Sequence, residues 1–221
     1  WDYFKSSTDF FDNKTPSYLI QKENYTGVDI GFPVTNKGTL KLGFNYMALK
    51  DNYYQIKNFT KLDTADQTTF NGYNVNFIFE KSTLNKKQYA NKGQLLKMSG
   101  SFNSGIESDI PGTTSPFDQP SEFDHNWLQI KLVSDGYYNT IGPVRLGFYF
   151  EAMYSTQDLS NNYTSSVLRA PAFQPTTETR TIFLEALRSH KYAALGQKLL
   201  IKIKKNVDIR LEGYMYQPYR L

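Results

Sequence analysis

The sequence contains no cysteine, which excludes a disulfide framework and any thiolate metal site. Its only histidines are His125 and His190, too few for a histidine-based metal centre with the usual ligand number. No run approaches the roughly 18 to 20 apolar residues that a membrane helix needs. No G-x-S-x-G nucleophile elbow occurs, so the chain carries no motif of a serine hydrolase. Net charge is only +4 and is scattered along the chain, which gives no basic face for nucleic acid. The chain starts at Trp1 without a methionine, a basic n-region or a signal h-region. The expectation is therefore that other sequence precedes it in its parent. No cofactor is expected.

What the chain has is alternation. Aromatic residues make up 16 % of it, mostly tyrosine and phenylalanine, and suit pleated, half-buried surfaces. Leu40, Leu42, Phe44, Tyr46 and Ala48 alternate with more polar neighbours, as do Tyr73, Val75, Phe77 and Phe79. The same period recurs at Leu96 to Phe102, Leu128 to Leu132, Leu146 to Tyr154, Leu199 to Ile203 and Val207 to Met215. Leu200 is the one apolar residue in the polar row of its strand. Val28 to Val34 marks a further strand, and Trp1 to Phe10 is read as one more. No stretch keeps a helical period. Gly100 to Gly105 is read as a strand exit.

The connections alternate in length. Thr35-Asn36-Lys37-Gly38 is a tight turn, Asp51 to Thr69 is long, and Lys81 to Gly93 is of medium length. Asn103 to Phe123 is long, Asp135 to Pro143 short, Ser155 to Leu195 very long, and Lys204-Lys205-Asn206 tight. Short turns on one side and long loops on the other are the habit of outer-membrane barrels. A soluble barrel or sandwich would show the same alternation with its apolar row turned inward. Loop asymmetry, strands longer than the usual five or six residues, and a second row mixing glycine, tyrosine and both charges favour the membrane form. Because lipid offers backbone groups no water, a spanning sheet must close. The fold class expected is all-β, an antiparallel transmembrane β-barrel segment of about 9–10 strands from a larger barrel of about 16.

Two constellations invite chemistry and are set aside. His125 and Asn126 fall on opposite faces of a regular strand, which prevents a direct serine–histidine–asparagine relay. Asp51, Asp63 and Asp66 in one loop resemble weak calcium ligands, but solvated loop carboxylates are the simpler reading.

The run from Ser82 to Gly93 resembles the periplasmic turn of the outer-membrane assembly-factor, or bacterial surface antigen, superfamily: a polar turn ending in glycine before a strand. The longer pattern is similar to the C-terminal barrel of Bacteroidetes patatin-like phospholipases. It is carried by Thr83-Leu84-Asn85, Pro111-Gly112-Thr113-Thr114, Ala170 to Thr176 and Tyr192-Ala193-Ala194-Leu195-Gly196. The resemblance implies that residues 1–221 are a partial outer-membrane barrel domain, with patatin-like and periplasmic domains lying upstream in the parent. It implies a Gram-negative outer membrane and outer-membrane lipids as partners, with other outer-membrane proteins a further class. The barrel would act as membrane anchor or translocation pore of a lipid acyl hydrolase. An assembly or translocation barrel and a passive porin-like channel are the alternatives. No catalytic residue carries over.

Arg188 to Gly196 resembles that superfamily's Arg-Gly-aromatic motif, carried on a long loop folded into the lumen, with serine in place of the glycine and histidine in place of the aromatic. The residues implied are Arg188, Tyr192 and Gly196. If Ser155 to Leu195 is one loop, Arg188 is expected inside the barrel, paired first with Glu212 and second with Asp208, which share a row with Arg210. If Thr181 to Leu187 is instead a strand, Arg188 lies at a rim.

Overall fold

The computed structural model describes residues 2–3, 16–56, 58–160, 163–204 and 207–219. They form one antiparallel sheet in strict sequence order. A two-residue strand β1 (Asp2–Tyr3) precedes eight long ones. These are β2 (Leu19–Thr35), β3 (Gly38–Tyr53), β4 (Asp66–Ser82), β5 (Gln94–Ile110), β6 (Ser121–Ile141), β7 (Val144–Ser155), β8 (Lys191–Lys204) and β9 (Val207–Pro218). A short helix, α1 (Tyr163–Arg169), and two 3-10 turns, Glu178–Thr181 and Glu185–Leu187, lie in the connection between β7 and β8. The sheet is all-β and open: among the described residues β9 pairs with β8 alone, and β2 from Gln21 onward with β3 alone.

Each strand forms where the two-residue period allows one row of side chains to pack and the other to face out. The outward row is apolar and exposed, with Val28 at 69 %, Phe44 at 55 % and Leu211 at 57 %. Phe77, Phe148, Phe150 and Ile201 belong to the same row and are half-buried by their neighbours along the sheet. None of these phenylalanines forms a dry interior among the described residues. Glu151, Leu200, Arg210 and Glu212 lie in the opposite row, where Glu151 and Leu200 are buried.

Strands run further than alternating hydrophobicity reveals. Asn103 to Ile110 and Ser121 to Phe123, expected in a loop, continue the β5–β6 ladder, and Gly100 to Gly105 is mid-strand rather than an exit. Here polar residues such as Asn103, Glu107 and Asp109 occupy the inner row, which erases the apolar signal while backbone pairing continues. The expected 135–143 connection likewise shrinks to Gly142-Pro143 (φ +58° at Gly142), because β6 absorbs the rest with a bulge between Tyr137 and Asn139. Of the strand read at Trp1 to Phe10, Asp2–Tyr3 pairs with β2, and the remainder lies outside the described residues.

The strand order puts the β2–β3, β4–β5, β6–β7 and β8–β9 connections at one end and the three long loops at the other. The β4–β5 turn closes with Thr83 N–H donating to the Gln94 carbonyl at 2.7 Å and Gln94 N–H to Thr83 Oγ1 at 2.8 Å. Gly93 adopts φ +95° there, and a Cβ would fall 2.1 Å from the Thr83 carbonyl oxygen. This turn reaches across to β9, four strands away: Asn91 Nδ2 donates to Asp208 at 3.0 Å. With strands about 4.8 Å apart, such a contact requires the sheet to curl toward the inner row.

Candidate functional site on the inner face

The Thr156–His190 connection does not stand off the sheet; it lies on the inner face and crosses from the loop end to the turn end. It begins with Thr156 N–H donating to the Leu128 carbonyl at 2.9 Å, and α1 then docks on β2 and β3. Arg169 Nε sits 2.5 Å from Asp51 Oδ2, and its Nη1 is 3.2 Å from Glu23 Oε1. The Asp51 side chain is fully shielded from solvent. A carboxylate so placed needs a cation beside it, and α1 supplies one from its last turn. Gln21 donates to the Leu168 carbonyl at 3.4 Å, while Thr164 Oγ1 donates to Gln55 Oε1 at 2.6 Å. Leu168 fills the space among Tyr18, Leu19, Tyr53 and Tyr54.

Beyond α1 the chain passes over β7, β8 and β9. Phe173 is 3 % exposed and packs against Tyr149, Tyr192, Tyr214 and Tyr216. Beneath it lies Glu151, 2 % exposed. Its carboxylate accepts from Tyr192 hydroxyl at 2.5 Å and from Tyr149 hydroxyl, and Lys131 Nζ approaches to 2.5 Å. Three donors on one buried carboxylate satisfy it without water. This is a packing centre that ties three strands and the loop together.

At the turn end, Tyr89 hydroxyl donates to Glu178 Oε1 at 2.7 Å, which joins the tip of the long loop to the β4–β5 turn. That hydrogen bond pulls the Glu178 carboxyl down to about 2. Arg145 donates to the Asn91 carbonyl at 2.6 Å, Tyr137 hydroxyl to the Ala90 carbonyl at 2.5 Å, and Arg210 to the same Ala90 carbonyl. Arg210 pairs with Glu212 at 2.8 Å and Lys198 with Asp135 at 2.6 Å. Tyr89, Tyr137, Glu178, Arg210, Glu212, Lys198 and Asp135 wall a cavity of about 710 Å3.

No protein-family model matches the chain, and no curated protein does.

Arg188 is inside the folded loop, at the end of the single β7–β8 connection; Ile182 and Leu184 join no strand of the sheet. Its expected acids do not meet it. Arg188 Nη1 donates to the carbonyls of Leu168 at 2.7 Å and Ala170 at 3.1 Å, and its guanidinium lies 4.6 Å from the Phe183 ring centre. Glu212 is taken by Arg210 and by Tyr214 hydroxyl, and Asp208 by Asn91. The reason is position: Arg188 sits where the loop returns beside α1, at the loop end, while Glu212 and Asp208 lie toward the turn end of β9.

Tyr192 and Gly196, expected on the loop, belong to β8. Tyr192 holds Glu151, and Gly196 leaves room for Tyr214, whose ring would come 2.5 Å from a Cβ there.

Asp51 and Asp66 prove to be buried strand residues, not solvated loop carboxylates. Asp66 accepts from Gln55 and from Gly112 N–H, and Asp63 caps its own turn through Thr60 N–H at 2.7 Å. His125 turns inward to Glu107 at 2.8 Å while Asn126 is exposed. Of the residues that organise the face, Asp51 and Glu151 carried one legible signal, a charge in the inner row of a strand; Arg169 and Phe173 lie in the connection between β7 and β8 and carried none.

Proposed function

We propose that this sheet is the lipid-facing wall of an outer-membrane β-barrel in a Gram-negative bacterium, serving as membrane anchor or translocation pore of a patatin-like phospholipase type of protein. One observation carries the reading: a single long sheet presents an exposed apolar row outward, while its inward row mixes ion-paired polar groups with buried aromatic and aliphatic ones; a water-soluble barrel does not leave such an apolar row exposed. A strand of 17 residues at about 3.4 Å each is roughly 55 Å long. Tilted near 45°, it rises about 39 Å, enough to cross the ~30 Å of hydrocarbon and extend past it. The inner face holds a whole loop, whereas eight strands closed on themselves enclose little more than side chains. That mismatch supports a barrel wider than eight strands. The same loop fills space that a passive porin keeps open, so anchor or gated pore is favoured over the channel reading.

None of the 221 residues is cysteine, so a cysteine placed in the sheet is the sheet's one thiol. Single cysteines at Phe44, Leu42 and Leu211, and at Asn74 and Gln129 as inward controls, are introduced into the parent protein in lipid vesicles. Outward positions should take an apolar-environment dye signal and be quenched by brominated lipid, and inward ones should not. Outward cysteines reacting freely with a membrane-impermeant maleimide would refute the assignment.

A further inference from the structure

Arg188 poses a problem that the sheet leaves unsolved. Its guanidinium is largely buried, yet among the described residues it forms no ion pair with a carboxylate. One edge donates to two carbonyls, and Nε–H, shielded from solvent, donates to nothing. Burial draws its pKa below the ordinary arginine value, with Arg169 acting in the same direction and the more distant Tyr3, Asp51 and Glu23 opposing it. A buried cation is normally matched by an anion, because carbonyl dipoles only partly replace lost water.

The guanidinium lines a groove of about 410 Å3 between α1 and the returning end of the loop, inside the ~300–1,000 Å3 range of small-molecule sites. Leu159, Val167, Ala170 and Ala186 supply apolar wall. His190 lies beside Arg188 with Nδ1 buried and unbonded, its Nε2 being 3.3 Å from the Ser166 carbonyl. The groove has one acid, the exposed Glu185.

We propose that this groove binds a single-chain anionic amphiphile, its acyl chain along the apolar wall and its carboxylate or phosphate headgroup at Arg188. Shape and charge together select that class. A small hydrophilic anion would leave the apolar wall wet, and a neutral lipid would leave the guanidinium unmatched. Arginine suits either headgroup, since its planar donors fit carboxylate and phosphate alike. The inference does not depend on membrane location or on any enzymatic activity of the parent. Failure of one therefore leaves the other standing.

The test uses the whole protein in a non-ionic detergent, with cis-parinaric acid as the fluorescent probe. The wild type should bind the probe with one site per chain, and its methyl ester about tenfold or more weakly. Palmitate and lysophosphatidate are the competing arms that tell carboxylate from phosphate headgroups, and displacement by either supports the site. Ala186→Trp, an exposed position that fills the groove without touching the sheet, should abolish binding while the thermal melt is unchanged. Arg188→Gln should weaken the acid about tenfold and leave the ester unaffected, whereas Glu185→Gln should tighten the acid about twofold. Equal affinity for acid and ester, displacement by monoacylglycerol as readily as by palmitate, or binding indifferent to Ala186→Trp would overturn the proposal.

Discussion

Replacing Arg169 with leucine should release α1 from the sheet without unfolding the sheet itself. The partner left behind, Asp51, is fully buried, and Arg169 is 13 % exposed. Stranding one member of a buried pair costs about 3 to 5 kcal/mol, and the slight water access at Arg169 argues for the lower end, near 3. The second arm, to Glu23, adds little, because Glu23 is 46 % exposed and its pair is screened. Three kcal/mol raises the open population of the loop roughly a hundredfold. Hydrogen exchange followed by mass spectrometry should show that loss of protection across residues 163–173, with β4 to β6 unchanged. Asp51→Asn combined with Arg169→Leu should recover most of it, because no charge is then left unmatched; the double-mutant cycle should give a coupling of about 2 kcal/mol or more. Exchange within threefold of wild type in the Arg169→Leu protein, or protection lost equally from every strand, would refute local docking by this pair.

Phe173→Ala empties the space among four tyrosines and should cost about 3 to 5 kcal/mol of loop docking, read as new proteolysis at Arg180. Gly93→Ala forces a side chain into left-handed backbone against the Thr83 carbonyl; the β4–β5 turn should open, seen as lost protection at the Asn91 and Lys92 amides, while the strands stay paired. His190 is held neutral by burial, its pKa below the ordinary 6.5, with nearby Lys191 acting in the same direction. Its unfolded form therefore takes a proton first as pH falls below about 6.5. Loop docking should weaken from there down to the folded-state pKa, and His190→Gln should flatten that dependence in exchange experiments at pH 7.5 and 5.5.

The curl of the sheet also gives the β4–β5 turn a role its sequence does not announce. Ser82 to Gly93 reads as an ordinary polar turn, yet Ala90 and Asn91 receive hydrogen bonds from Tyr137, Arg145 and Arg210 on three separate strands. Together with Tyr89 on Glu178, they close the turn end of the inner face beneath the long loop.

The alternation of Leu40 to Ala48 or Val207 to Met215 was enough to place strands, and the spacing between such runs gave the order of short and long connections; which row faces out needed the loop asymmetry, the strand length and the mixed second row as well. A two-residue period leaves no freedom about which side chains share a face. Strand ends were not legible, because Asn103, Glu107, Asp109 and Ser121 continue the ladder through backbone pairing that leaves no apolar trace. Nor was the choice of partners. The count of strands made Ser155 to Leu195 one connection with Arg188 near its end, but which groups Arg188 meets depends on where the loop turns back, beside α1, which docks through Arg169 on Asp51. Local pattern sets the face of each residue; contacts between residues far apart in the chain exist only once the sheet has curled and the loop has lain down on it.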